Sequence, residues 1–119
     1  MTNDISYERT YKIKKIYDER DKCRTELAMA RRIAKEFEEH FTDDMRELES
    51  IKDENYSDMN LYNSVMEFQN TISGMKRKID ELFEKVNKDY GNRLKELDDE
   101  ECELKYVISQ DLKEKGMEG

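Results

Sequence analysis

Residues 13–51 read IKKIYDERDKCRTELAMARRIAKEFEEHFTDDMRELESI. Twelve positions within this stretch step by three and four in strict alternation: Ile13, Ile16, Arg20, Cys23, Leu27, Ala30, Ala34, Phe37, Phe41, Asp44, Leu48 and Ile51, of which ten are apolar. A mean spacing of about 3.5 residues keeps one stripe of a helix turned toward one neighbour over many turns, so the pattern predicts a long helix with a coiled-coil-like partner. Val65, Phe68, Ile72, Met75, Ile79, Leu82 and Val86 repeat the alternation, and the polar Asp53-Glu54-Asn55-Tyr56-Ser57-Asp58 lies between the two series. Two periodic arms around a polar turn predict an all-α fold, a long antiparallel two-helix hairpin with coiled-coil-like packing.

A single domain is expected over 1–119, with arm one at about 4–54, the turn at about 55–58 and arm two at about 59–115. The chain contains no proline, so neither arm has an obligatory break. Asn3, Asp4 or Ser6 can cap arm one, and Ser57 or Asp58 can cap arm two, because their side-chain oxygens accept from the free amides of a first turn. At 1.5 Å per residue each arm of roughly fifty residues measures about 75 Å. Thr42-Asp43-Asp44 offers an alternative cap that would divide arm one at Phe41. Glu8 with Lys12, Glu81 with Lys85, Glu84 with Lys88 and Glu101 with Lys105 have the spacing that supports a helix. After Val86 the apolar positions run Tyr90, Leu94, Leu97, Leu104 and Ile108, with consecutive steps of four around Gly91, which predicts a bend or register change there. With the turn centred near Ser57, Ala34 is expected opposite Ile79 and Leu82, and Phe41 opposite Ile72 and Met75.

Only 35% of residues are apolar and 44% are charged, which suits two packed helices better than a compact globule. Low hydrophobicity with a net charge of −8 approaches a disordered composition, but the regular apolar stripe argues for order. The acidic balance, with pI near 4.8, speaks against nucleic acid, and Lys12-Ile13-Lys14-Lys15 and Met75-Lys76-Arg77-Lys78 are short basic bursts of the kind found on solvated helix faces. No apolar run is long enough for membrane insertion, and Met1-Thr2-Asn3-Asp4 lacks the layout of a secretory signal. The expected location is the cytoplasm.

Residues that carry chemistry are sparse. His40 is the single histidine and has no cysteine or carboxylate set at ligand spacing, so it supports neither a metal site nor a nucleophile and base pair. Cys23 and Cys102 fall about eleven residues apart in hairpin register, roughly 16 Å, too far for a disulfide. Asp98-Asp99-Glu100-Glu101 and Asp43-Asp44 lack the glycine and alternating oxygen ligands of a calcium loop. The chain is read as a non-enzyme without cofactor or metal.

Apolar surface beyond the seam is the informative surplus. Met59, Tyr62 and Met66 form a second stripe near the turn, Met45 flanks the matching end of arm one, and Met29 and Ile33 flank a narrow waist at Ala30 and Ala34. A two-helix hairpin covers one stripe per helix, so Met29, Ile33, Met45, Met59, Tyr62 and Met66 are the candidate partner-binding residues.

The hairpin, its short acidic-polar turn and the charged, heptad-rich second arm from Asn92-Arg93-Leu94-Lys95-Glu96-Leu97 to Lys113-Glu114-Lys115 resemble the W-x-G-type small helical proteins of type VII secretion. They resemble more closely the small accessory partners of LXG toxins in type VIIb systems. This resemblance implies a targeting factor or secretion chaperone that docks on the helical N-terminal LXG domain of a cognate toxin, beside a second small helical partner in some assemblies, and is co-exported or stays in the cytoplasm. The chain departs from the W-x-G pattern by carrying Tyr56-Ser57-Asp58 at the turn, with Ile72-Ser73-Gly74 offset into arm two. The tyrosine-then-acid export signal is not carried over: Tyr106 is followed four residues later by Gln110, and Tyr17 with Asp21 lies in arm one. The alternative class is a homo-oligomeric coiled-coil scaffold of phage or cytoskeletal type, in which the chain would be a homodimer when alone.

Overall fold

The computed structural model describes the backbone of residues 2–118 and the side chains of residues 7–114. It contains two helices, α1 (Thr2–Glu54) and α2 (Met59–Glu118), and no strand among the described residues. The fold is the expected all-α antiparallel two-helix hairpin. The side chains of Asn3, Asp4 and Ser6, the expected caps of α1, lie outside the described residues.

Asn55 to Asp58 reverse the chain without any residue in the left-handed backbone region among those described. Asn55 closes α1 by donating its side-chain amide to the Ile51 carbonyl at 2.8 Å, and the Asp58 amide donates to the Asn55 carbonyl at 3.0 Å. Asp58 then caps α2: its Oδ1 accepts from the Leu61 amide at 3.1 Å, while its carbonyl accepts the first helical bond from Tyr62 at 2.9 Å. No break occurs at Thr42, whose hydroxyl donates to the Glu38 carbonyl one turn back at 2.9 Å instead of capping a new helix. Two of the expected supporting pairs close, Glu8 with Lys12 at 3.7 Å and Glu101 with Lys105 at 2.8 Å.

The chain divides into two compact units, Met1–Leu27 with Lys88–Gly119, and Ala28–Asn87. In the first, Ile16, Leu27 and the fully buried Leu97 form the core, with Ile13, Cys23, Leu94, Leu104 and Ile108 half-buried beside them. In the second, Val65 and Gln69 are buried, and Ala30, Ala34, Phe37, Phe41, Leu48, Ile72, Ile79, Phe83 and Val86 are half-buried.

The second unit departs from the expected seam in both helices. On α1, Asp44 and Ile51 are exposed, and Met45 and Lys52 are half-buried in their stead. An unpaired carboxylate costs several kcal/mol to bury, so the seam steps by four from Phe41 to Met45, leaving Asp44 in water and carrying Lys52 inward where Ile51 was expected. On α2, Val65, Ile72, Ile79 and Val86 keep their places, but Gln69, Lys76 and Phe83 face α1 while Phe68, Met75 and Leu82 are exposed. Glu38 meets Lys76 as a turn centred near Ser57 predicts, and Arg31 with Asn87 and Glu49 with Gln69 lie within about one helical turn of the expected register. Val86, Tyr90 and Leu94 are half-buried, as is Arg93, and α2 runs through Gly91 without interruption.

A methyl group at Gly74 or Gly91 would meet no heavy atom within 4 Å, and both residues are helical. Gly74→Ala and Gly91→Ala are each expected to stabilise the chain by about 0.5–1 kcal/mol through helix propensity and reduced unfolded-state entropy. Asp58→Ala is expected to cost about 1 kcal/mol by leaving the Leu61 amide unsatisfied. Urea unfolding midpoints at unchanged slope check all three.

Candidate docking surface

Within the second unit, the polar bonds between the helices collect on one flank. Arg31 Nε donates to Asn87 Oδ1 at 2.9 Å, and Lys76 binds Glu38 at 3.0 Å and Asp80 at 2.7 Å. Gln69 Nε2 donates to Glu49 Oε2 at 2.9 Å and its carbonyl accepts from Lys52 at 3.4 Å, while Lys52 pairs with Glu49 at 3.0 Å. The ammonium groups of Lys76 and Lys52 stand 5.2 Å and 5.6 Å from the ring centroids of Phe41 and Tyr62, so their charges are also met by aromatic faces. Lys52 and Lys76 hold their protons above the usual lysine range, chiefly through hydrogen bonds to Glu49 and Asp80 respectively, and Glu49 is lowered, chiefly by its bond from Gln69.

The opposite flank of the same unit is open and apolar. Turning by about 100° per residue, a helix places residues seven apart nearly above one another. Leu61, Phe68, Met75 and Leu82 form such a column and are 38%, 55%, 58% and 60% exposed. Gln69, Lys76 and Asn87 lie on the other side of the α2 seam, so this column is on the flank away from the polar bonds. The same construction puts Ile33 and Ile51 of α1, both exposed, on the open flank. On α2 the flank therefore presents an apolar strip with the heptad spacing that a third helix would read, while on α1 the exposed His40, Asp44 and Glu47 share the columns of Ile33 and Ile51.

The six residues expected to bind a partner do not share one surface. Met29 and Ile33 are exposed on the open flank, Met59 and Met66 are exposed on the side of the polar bonds, and Met45 and Tyr62 are half-buried at the seam. Phe68, Met75 and Leu82, assigned by periodicity to the seam, are instead the principal exposed apolar side chains of α2 in this unit. The signal that identifies them is polarity: Gln69 bonds Glu49 and Lys52 of α1 and Lys76 bonds Glu38 of α1, and only by facing α1 can they do so.

The first unit solves its polar positions differently. Arg20, on the seam of α1, is bonded by Glu101 and lies 3.1 Å from Asp98, with its guanidinium 5.5 Å from the Tyr17 ring. Its Nε is buried without a hydrogen-bond partner. Arg93 links Glu19 at 2.6 Å, Glu96 at 3.1 Å and Glu100 at 3.6 Å, and the Tyr90 hydroxyl donates to Glu26 at 2.7 Å. That bond, reinforced by burial, raises the Tyr90 phenol above its usual range. Arg9 pairs with Asp111 further along. A shallow cavity of about 390 Å³ is floored by Ile16, Leu104 and Val107, with Lys15 and Glu100 among its lining groups. His40 is exposed, Cys23 and Cys102 are free, and no cluster of three metal-ligating side chains occurs among the described residues.

Comparison with protein-family models, with curated proteins and with solved structures finds no match for this chain. No helix among the described residues is long and apolar enough to cross a membrane.

Glu101 accepts hydrogen bonds from Lys105 and Arg20, and they hold its carboxyl at about 2, against the opposing pull of burial. A carboxyl held below its ordinary value of 4.5 stabilises the fold fully above that pH, and the contribution fades as pH falls toward about 2. Glu101→Gln is expected to unfold at lower urea concentration than the parent at neutral pH, with the difference shrinking through this acid window. A difference that stays constant across the window would refute the assignment.

Proposed function

We propose that this chain is a non-catalytic docking protein that receives helices of another protein on the open flank of its second unit. The finer assignment is an accessory partner of an LXG toxin, binding the toxin's helical N-terminal domain in the cytoplasm and assisting its export by a type VIIb secretion system. The observation that carries the docking reading is the exposed column Leu61, Phe68, Met75 and Leu82 at heptad spacing, flanked by Ile33 and Ile51. The LXG assignment rests on the architectural resemblance of the hairpin.

A helix bearing its own apolar stripe fits this strip as the third member of a bundle, its side chains entering the gaps between residues seven apart. Covering each large apolar side chain contributes about 1.5–3 kcal/mol before the costs of association, so a few such residues suffice for a specific complex. Met29, adjacent to Ile33 on the open flank, extends the strip and adds an adaptable contact. In such a complex the bound protein is shielded from aggregation, because its apolar helix face is covered until export.

Co-expression with an LXG-type toxin domain, followed by affinity capture, tests the reading. Phe68→Glu and Met75→Glu are each expected to reduce toxin binding by at least about tenfold while helicity by circular dichroism stays at the parental level. Arg77→Glu, on the far side of α2, is expected to leave binding intact. Capture that survives both apolar-to-acid changes would overturn the proposed surface, and absence of capture from any such toxin domain would overturn the LXG assignment.

A further inference from the structure

We infer that the helix received on the open flank is a basic amphipathic one, whose apolar stripe meets α2 and whose lysines or arginines meet α1. This inference rests on the reading of that flank as a docking surface and names the chemistry of its occupant.

The two walls of the flank differ in kind. On α2 the column Leu61, Phe68, Met75 and Leu82 is apolar throughout. On α1 the apolar Ile33 and Ile51 are interrupted by carboxylates. Asp44 stands one heptad before Ile51, Glu47 and Glu54 stand one and two heptads beyond His40, and Glu36 stands one heptad beyond Met29, so helical geometry sets all four on this wall. All four are exposed, and none of their carboxylates enters a salt bridge or hydrogen bond among the described residues. With His40 neutral at pH 7, every full charge on the wall is negative. The basic residues of the same stretch lie elsewhere: Arg31 bonds Asn87 on the closed flank, Lys52 is at the seam, and Arg32, Lys35 and Arg46 turn away from the wall. On the closed flank, by contrast, Glu38 and Glu49 are met by Lys76 and Lys52.

Charge complementarity selects the occupant. A helix laid between the walls sets one edge of its apolar stripe against Asp44 and Glu47. An acidic edge there would bring like charges side by side, and an apolar edge would strip water from the carboxylates without replacing it. Lysine or arginine at that edge pairs with them and lays its aliphatic stem along the apolar floor. The other edge of the stripe meets a different rim. Lys78 and Lys85, exposed and outside the ion pairs described above, lie beyond the α2 column on the side away from α1. The basic groups of the occupant are therefore confined to the edge that meets α1. A net charge of −8 on the chain favours the approach of such a partner.

Fluorescence anisotropy with two synthetic three-heptad helical peptides tests the inference. Both carry leucine at the first and fourth positions of each heptad and glutamine along one edge of that stripe; the other edge is lysine in one peptide and glutamate in its counterpart. At neutral pH and low salt the full chain is expected to bind the lysine peptide at least about tenfold more tightly, a preference that narrows as salt rises because the wall is solvent-facing. Phe68→Gln, and independently Met75→Gln, are expected to weaken lysine-peptide binding by about tenfold at unchanged helicity. The reversal Asp44→Lys/Glu47→Lys is expected to invert the preference, whereas Glu67→Lys/Glu81→Lys, the same change of charge on the back of α2, is expected to leave the lysine peptide preferred. The inference is overturned if neither peptide binds, if both bind equally, if the two reversals act alike, or if binding is indifferent to both apolar changes. A self-dimer held through Phe68 and Met75 that excludes both peptides would also overturn it and make a second copy the occupant. A toxin domain captured through Phe68 and Met75 but indifferent to Asp44→Lys/Glu47→Lys would overturn this inference and leave the proposed function standing. A peptide preference set by Asp44 and Glu47, with no toxin domain captured, would leave this inference standing and overturn the LXG assignment.

Discussion

A single unpaired carboxylate organises the second unit. The alternation that runs from Ile13 to Phe41 would bring Asp44 to the seam, where Lys76, above Phe41, is already engaged by Glu38 and Asp80. Burying it would cost more than one apolar contact returns, so the seam steps by four, Met45 takes the place, and the next two turns follow in the new phase. Lys52 therefore arrives where Ile51 was due. Its ammonium then requires partners, and it finds Glu49, Gln69 and the face of Tyr62. Gln69 can serve only by facing α1, and with Gln69 come Lys76 and Phe83, one and two heptads further along α2. Phe68, Met75 and Leu82 are turned outward as a consequence.

Arg20 marks the contrast in the first unit. It too is an ionised group at a seam position, yet it stays there, because Glu101 and Asp98 of α2 neutralise it and Tyr17 lies beside its guanidinium. A paired seam charge adds little net stability over an apolar residue of the same volume, but it penalises every alternative register in which it would lose its partners. The unsatisfied Nε of Arg20 shows that even the favoured register leaves some cost in place. With Arg93 and Tyr90 bonded to Glu19 and Glu26, a slide of α2 by one turn would break several charge-assisted bonds together. In this unit, polar groups fix the alignment that Leu97 and Ile16 then consolidate.

The fold class, both helices, the turn and the Asp58 cap were legible in the sequence because each rests on a local rule: spacing, side-chain capping, the absence of proline. The continuity of α1 past Thr42 was less so, since a threonine hydroxyl can cap a new helix or bond back to the preceding turn, and both options read alike in sequence. The phase of α2 was harder still. Val65, Ile72, Ile79 and Val86 belong equally to a seam containing Phe68, Met75 and Leu82 and to one containing Gln69, Lys76 and Phe83, and apolarity alone favours the former. Only the cross-helix partners of Gln69 and Lys76 decide, and those depend on register. For the same reason Met45 and Tyr62 could not be assigned to surface or seam before the phase was known, while Met29 and Ile33 could.

The two phases of α2 are both real properties of its surface. Three columns of large side chains lie side by side: Tyr62 and Phe83 in the first, Val65, Ile72, Ile79 and Val86 in the second, and Leu61, Phe68, Met75 and Leu82 in the third. One neighbouring helix covers two adjacent columns and no more, because helices pack at 8–10 Å and their curved surfaces part quickly on either side of the contact line. α1 takes the first and second. The third therefore shares the second column as its inner wall, which makes it the outer half of another helix-packing seam already half-built. Its lack of cover follows from the width of the apolar arc, and a docked helix would complete the packing geometry that α1 has begun.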